Sequence, residues 1–149
     1  MLDSQDKDRS PDGEMLQWLD QDLQVNNQEW VIVAFHHPPY TKGTHDSDDP
    51  GDSGGRLIDM RENVLPVLER HGVDLVLAGH SHVYERSKLI DCHYGYSPAF
   101  TQNNVVSDGV DGLHLNYLKP KGKQPHSGAV YIVAGASSKA GAGSLDHPA

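Results

Sequence analysis

The chain has a single cysteine, Cys92, so no disulfide can close within it. That scarcity leaves the compartment open, because many exported proteins use no disulfide. Long apolar runs are also missing. None approaches the roughly 18 residues of a membrane span, and the opening MLDSQDKDRS lacks the apolar stretch of a secretory signal. A soluble protein with no membrane partner and an unassigned location is expected. Positive charge is the third shortage: 12 Lys and Arg face 21 Asp and Glu, for a formal net charge of −9. This excludes general nucleic-acid binding by charge neutralisation. Any phosphate group the chain binds must therefore meet local positive charge, such as a metal ion. Histidine, by contrast, is plentiful, with 10 in 149 residues, a length suited to one domain with a modest core.

The order of elements reads as α/β. In SPDGEMLQWLDQDLQVN, Ser10 is placed to cap a helix with Pro11 in its first position. Met15, Leu16, Leu19 and Leu23 recur at helical spacing, so one face should be buried. EWVIVAF, residues 29 to 35, is short, apolar and β-branched, which suits a strand covered on both faces. A Gly, Asp, Ser and Thr loop follows from 41 to 55, and its acidic part is expected to be solvated, as a rim over a site. It lacks the spaced carboxylates and final Glu of a calcium-binding EF-hand. Leu57, Met60, Val64, Leu65 and Leu68 mark a second helix, bent at Pro66 and ended by Gly72. VDLVLA (73 to 78) is a second buried strand, VYERSKLID a further one, and AVYIVAG a last one running into the flexible GASSKAGAG. Residues 92 to 127 read as an irregular, loop-rich segment. Strand, helix, strand order points to a layered α/β domain.

Both buried strands end in histidine, in VAFHHPPY (33 to 40) and AGHSHVY (78 to 84). Ligands gather beyond the carboxyl ends of strands in open α/β sheets, so the two ends are expected to face one site. Gly79 would give the backbone a sharp path, and residues two apart in extended chain share a side, so His80 and His82 can aim together. Neutral imidazole is a common donor to zinc and iron. The plainer alternative is a set of hydrogen-bonded turn histidines.

GHSHVYERS resembles the final motif of the calcineurin-like metallophosphoesterases, in the purple acid phosphatase branch, where GHxH precedes an aromatic, Glu and Arg. VAFHHPPY is similar to that branch's preceding motif, a strand ending VxxH before Pro and an aromatic. The resemblance implies part of a metallophosphatase-type layered α/β/β/α sandwich, a mixed sheet with flanking helices. It makes His36 and His80 ligands of one metal and His82 a ligand of the other, with His37 a non-ligand. His45 matches a histidine that contacts the substrate phosphate and protonates the leaving group, so it is both the catalytic and the substrate-binding expectation. For Glu85 and Arg86, which also match, a structural salt bridge or solvent contact is expected. Cys92 reads as a small, semi-buried residue.

The implied complete site holds a dinuclear centre, Fe with Zn, Mn or Fe, bridged by an Asp. Another Asp, a Tyr and an Asn complete it, in motifs of the form GDxx, GDxxY and GNH, none of which occurs here. Residues 1–149 are therefore expected to be a single C-terminal portion of a metallophosphoesterase domain. Two adjacent cations repel strongly and imidazole does not offset their charge, so three histidines should hold at most one divalent ion. The functional expectation is a metal-dependent phosphatase or phosphodiesterase fragment acting on a small phosphate ester. The alternative is a catalytically inactive metal-binding or interaction module, and a mononuclear three-histidine hydrolytic zinc site is a third reading. A halved sandwich leaves strands short of neighbours, so a homo-oligomer, or pairing with a missing N-terminal half, is expected.

Overall fold

The computed structural model describes residues 1–110, 116–120, 122–137 and 139–149. Its element order begins with helix α1 (Glu14–Val25) and strand β1 (Ile32–Ala34). A short 3-10 turn (Asp52–Gly55) leads into a composite helix, made of α2 (Arg56–Asp59), a π segment (Met60–Val64) and α3 (Leu65–Arg70). Strands β2 (Leu75–Ala78), β3 (Tyr84–Arg86), β4 (Leu89–Ile90), β5 (Val105–Ser107) and β6 (Val130–Ala134) complete it. Strands β1, β2 and β6 run parallel, β3 pairs antiparallel with β6, and the order across the sheet is β1-β2-β6-β3. The mixed sheet with flanking helices expected from the sequence is thus present. Strand β4, in the run VYERSKLID read as a strand, pairs antiparallel with β5, which lies inside the segment read as irregular (92 to 127); part of that segment (111–115 and 121) lies outside the described residues.

Local chemistry moved several boundaries. Helix α1 starts at Glu14 with Gly13 as N-cap, because the Gly13 amide is already committed to the Ser10 carbonyl at 3.0 Å. Its four expected apolar residues, Met15, Leu16, Leu19 and Leu23, are all buried. The second helix absorbs Pro66 through the wider π turn just before α3, since proline brings no N–H to an α-helical bond. Leu57, Met60, Val64, Leu65 and Leu68 are fully buried. Gly72 follows the helix at φ +67, where a Cβ would also meet the Gln124 backbone.

The main core lies on one face of the sheet. Val31, Val33 and Phe35 pack with Val76, Ala78 and Tyr131 against α1 and α3. The opposite face is open at the β1 edge, where Trp30 is 70% exposed, Ile32 60% and the neighbouring Leu77 36%, while Val130 on β6 is buried. This corrects the expectation of strands covered on both faces.

A fully buried arginine organises the connections around that core. Arg61 Nη1 donates to the carbonyls of Ser47 (2.7 Å) and Pro39 (3.2 Å) and lies 3.3 Å from Asp48, while its Nε donates to Tyr94 O. Asp48 also accepts from the Ser97 amide and pairs with Lys42. The acidic loop is therefore wired inward, where a solvated rim was expected. Glu85 belongs to the same scaffold. Its carboxylate accepts from Thr41 Oγ1 and the Lys42 amide, a loop anchor where a salt bridge or solvent contact was expected, and Arg86 is exposed and lies over the Tyr117 ring. The run after β6, expected to be flexible, folds back: Gly141 N–H donates to His82 O and Leu145 N–H to Lys42 O, with Ser138 outside the described residues.

Two stability predictions follow from this wiring. Arg61→Leu is expected to cost about 3 kcal/mol in urea unfolding, because it leaves the carbonyls of Pro39, Ser47 and Tyr94 without their buried donor and removes the Asp48 partner; an unchanged midpoint would contradict the arrangement. Glu69, 2% exposed, is pushed up to about 7 by burial, against hydrogen bonds from Tyr94, Tyr131 and the Cys92 amide. A carboxyl with a raised folded value stabilises fully below its unfolded value of 4.5 and loses that contribution as pH rises through about 7. The ion-free parent should therefore fall relative to Glu69→Gln by about 3 kcal/mol across that window. A difference that does not change with pH would contradict it.

Candidate metal centre

The parallel ladder between β1 and β2 continues past the strands: Phe35 N–H donates to Leu77 O and Gly79 N–H to His36 O. This places His36 and His80 side by side, with His36 Nε2 3.1 Å from His80 Nδ1. His80 itself adopts φ +64, a left-handed conformation, so the sharp turn falls on the histidine. A Cβ on Gly79 would find only ordinary contact with the His36 ring. The tight spot is Gly135 at the end of β6, where a Cβ would sit 2.0 Å from Ser81 O. Residues 80 to 83 form bends, so the extended geometry expected for His80 and His82 is absent.

The acidic loop brings further groups to His80. Ser53 Oγ lies 2.7 Å from His80 Nε2 and donates to Asp52 Oδ1 at 2.6 Å. The one serine proton is thereby used, so His80 Nε2 carries its own proton toward Ser53, and Nδ1 presents a lone pair to the His36 Nε2–H. Donors thus run in one direction, from His36 through His80 and Ser53 to the Asp52 carboxylate. Asp52 also accepts from the Asp46 amide and faces His45 Nδ1 at 2.9 Å. Burial alone would raise this carboxyl, but the hydrogen bonds from Ser53, the Asp46 amide and His45 hold it below its ordinary value. The His45 ring stacks on His80 with centroids 3.9 Å apart.

His37 is fully buried behind the pair. Its amide donates to Ser4 Oγ, which also lies 2.9 Å from the ring Nδ1. Leu2 sets this up by pairing its amide with Ala34 O along the edge of β1. His36, His37 and His80 form one group with donor atoms within 4.8 Å of one another, and His45, Asp52 and His80 form another. His82 belongs to neither group. Its amide is held by Thr44 Oγ1, its carbonyl by Gly141, and its ring is near enough to His80 to disfavour charge there.

The donor set fits a borderline metal ion. Two nitrogens sharing a tetrahedral zinc at about 2.0–2.1 Å would stand roughly 3.3 Å apart, close to the 3.1 Å between His36 and His80. A cation there would take the position of the hydrogen now shared by the two rings. Asp52, Ser53, Ser4 and His37 were not legible as members of this surround. The only sequence signal was a Ser between Asp and Gly-Gly in a loop, and Ser53 and Gly54 do adopt left-handed φ values of 53 and 63.

Burial, with charge on His45 and His36 unfavourable beside it, holds His80 at about 4, and burial with His80 and His36 does the same to His37. Both stand below the unfolded value of 6.5, so their contribution to stability is complete above about pH 6.5 and is lost as pH falls toward 4. Ring-nitrogen NMR of the ion-free chain is expected to find both imidazoles neutral at about pH 5.5. Charged rings there would contradict the packing.

Residues 1–84 match the family model described as calcineurin-like phosphoesterase. Among curated proteins, probable purple acid phosphatase 20 of Arabidopsis thaliana is 29% identical over 123 residues, covering 80% of this chain and 26% of that protein. Purple acid phosphatase 18 of the same plant is 35% identical over 111 residues, covering 69% and 23%. A solved purple acid phosphatase from yellow lupin (Lupinus luteus) seeds superposes with a TM-score of 0.56 at 18% identity, covering 91% of this chain and 20% of that one, a likeness of fold. The chain thus spans about a quarter of the length of the curated relatives it matches.

Proposed function

Because the chain belongs to the calcineurin-like phosphoesterase family, we propose that it carries the histidine side of a metal-dependent phosphoesterase site that hydrolyses small phosphate esters. The observation that supports this most directly is the approach of His36 Nε2 to His80 Nδ1 at the carboxyl ends of two paired parallel strands. On this reading His36 and His80 hold one metal and His82, on the same loop, a second one in the complete dinuclear centre of the family. The Fe with Zn, Mn or Fe pairing belongs to this proposal, as does the view that residues 1–149 are the C-terminal portion of the domain, able alone to hold one divalent ion.

When bound, the metal supplies Lewis-acid polarisation of the phosphoryl group and a nucleophile available at neutral pH. The chain's own groups do the rest. His45, stacked on His80, faces the departing alcohol. Asp52 accepts the His45 Nδ1–H, which fixes the ring and leaves Nε2 to carry the proton. As water adds to phosphorus and the ester P–O bond breaks, the His45 imidazolium passes its Nε2 proton to the alkoxide and the proton lost by the water restores the ring, giving alcohol and phosphate. Arg61 and Glu85 keep the His45 loop in place through the backbone at 39 to 48.

The open apolar face at Trp30, Ile32 and Leu77 suits the second layer of the sandwich, supplied by the Asp- and Asn-bearing part of the domain or, in the isolated chain, by another copy.

Metal analysis together with aryl phosphate hydrolysis tests the reading. In protein containing the complete site, His80→Ala is expected to abolish both ion retention and turnover, and His45→Ala to retain the ion while lowering kcat by roughly 10²–10⁴. An ion held without turnover would move the assignment to a binding module; no ion at the histidines would end it. The isolated chain is expected to self-associate with rising concentration in sedimentation, and Ile32→Lys to weaken this. A monomer at all concentrations would contradict the exposed-face account.

A further inference from the structure

Away from the residues of the histidine pair, four side chains of other segments converge. They are Glu69 from the end of α3, Asp91 and Cys92 just after β4, and His126 ahead of β6, with one donor atom of each within 4.8 Å of the others. We propose that Glu69, Asp91, Cys92 and His126 form a second, structural cation site selective for a zinc-class ion, independent of the phosphoesterase reading.

Geometry supports this first. Cys92 Sγ lies 3.1 Å from Asp91 Oδ2 and 3.5 Å from His126 Nδ1, and His126 Nδ1 lies 3.3 Å from Asp91 Oδ1. Donors around a tetrahedral zinc, with bonds of about 2.0–2.3 Å, stand roughly 3.3–3.8 Å apart. The Asp91, Cys92 and His126 contacts therefore fall close to that spacing, with a Glu69 oxygen within 4.8 Å of the other donors. A sulfur, a nitrogen and two carboxylates suit zinc, whereas calcium and magnesium take oxygen donors. Four protein donors leave no open position, the pattern of a structural site.

Charge supports it next. Two carboxylates meet here, one of them almost fully buried, yet among the described residues neither Lys nor Arg pairs with either; Asp91 faces His126 and the Cys92 sulfur. A divalent cation would offset the charge of these two carboxylates and of a bound thiolate. Cys92 is exposed as a residue, where semi-burial was expected, but its sulfur faces this cluster.

The backbone is already committed. The Cys92 amide donates to Glu69 Oε2, the His126 amide to Glu69 O, and the Asn104 side chain to the carbonyls of Asp91 and Cys92. Cys92 and His126 both adopt left-handed φ, at 58 and 54, conformations that non-glycine residues keep only when their surroundings impose them. An ion here would clamp both ends of the long connection between β4 and β6 onto α3.

The test is titration of the reduced full chain with Co2+, followed by Zn2+. Cys92 is the only cysteine, so a sulfur-to-cobalt charge-transfer band can arise only from it. The band is expected to saturate, to disappear on adding Zn2+, to persist in His80→Ala, and to be lost in Cys92→Ser. His126→Ala should weaken Co2+ binding at least about tenfold. Survival of the band in His80→Ala separates this site from the histidine centre, so either assignment can fail alone. No band at saturating Co2+, or affinity unchanged in His126→Ala, would overturn the proposal.

Discussion

The parallel pairing of β1 with β2 is the constraint on which the rest of the site depends. Its last rungs, Phe35 to Leu77 and Gly79 to His36, determine where each strand releases its chain. A slip of one residue in that register would turn the histidines to opposite faces, since side chains alternate along a strand. Register in turn rests on the buried face, where Val33, Phe35, Val76 and Ala78 meet α1 and α3. Core packing on one side of the sheet thereby becomes a nitrogen-to-nitrogen distance at its end.

A second layer of control comes from the long loop. Loops rich in Gly, Asp and Ser are normally mobile, yet this one is held by a buried guanidinium at Pro39, Ser47 and Asp48 and by Glu85 at Thr41 and Lys42. Its acids are mostly consumed in these contacts. Asp52 is the exception with chemical reach, because it stands at the end of the donor chain from His36 and also faces His45. Carboxylates that orient imidazoles tune both ligand and acid behaviour, so the loop acts as part of the site wall.

The histidines and the strands that carry them were readable because apolar runs ending in HH and HSH are local signals. Amphipathic spacing likewise located Leu16, Leu19 and Leu23, and Leu57 through Leu68, in the core. What could not be read depended on contacts distant in sequence. Ser4 supports His37 across 33 positions and Ser53 meets His80 across 27, and no periodicity announces such pairs. The burial of one sheet face but not the other was also hidden, because EWVIVAF has the same composition in either case. Residue-level backbone strain followed the same rule: glycine drew attention at 79, but the left-handed turn fell on His80, where the surrounding rings and Ser53 hold it.

The central claim is that His36 and His80 are brought together to share an ion. Anomalous diffraction from crystals of the chain soaked with Zn2+ tests it most directly. The account predicts a peak within coordination distance, about 2 Å, of both His36 Nε2 and His80 Nδ1. Zinc bound elsewhere with that space empty, or the two rings apart with His36 turned to solvent, would contradict it.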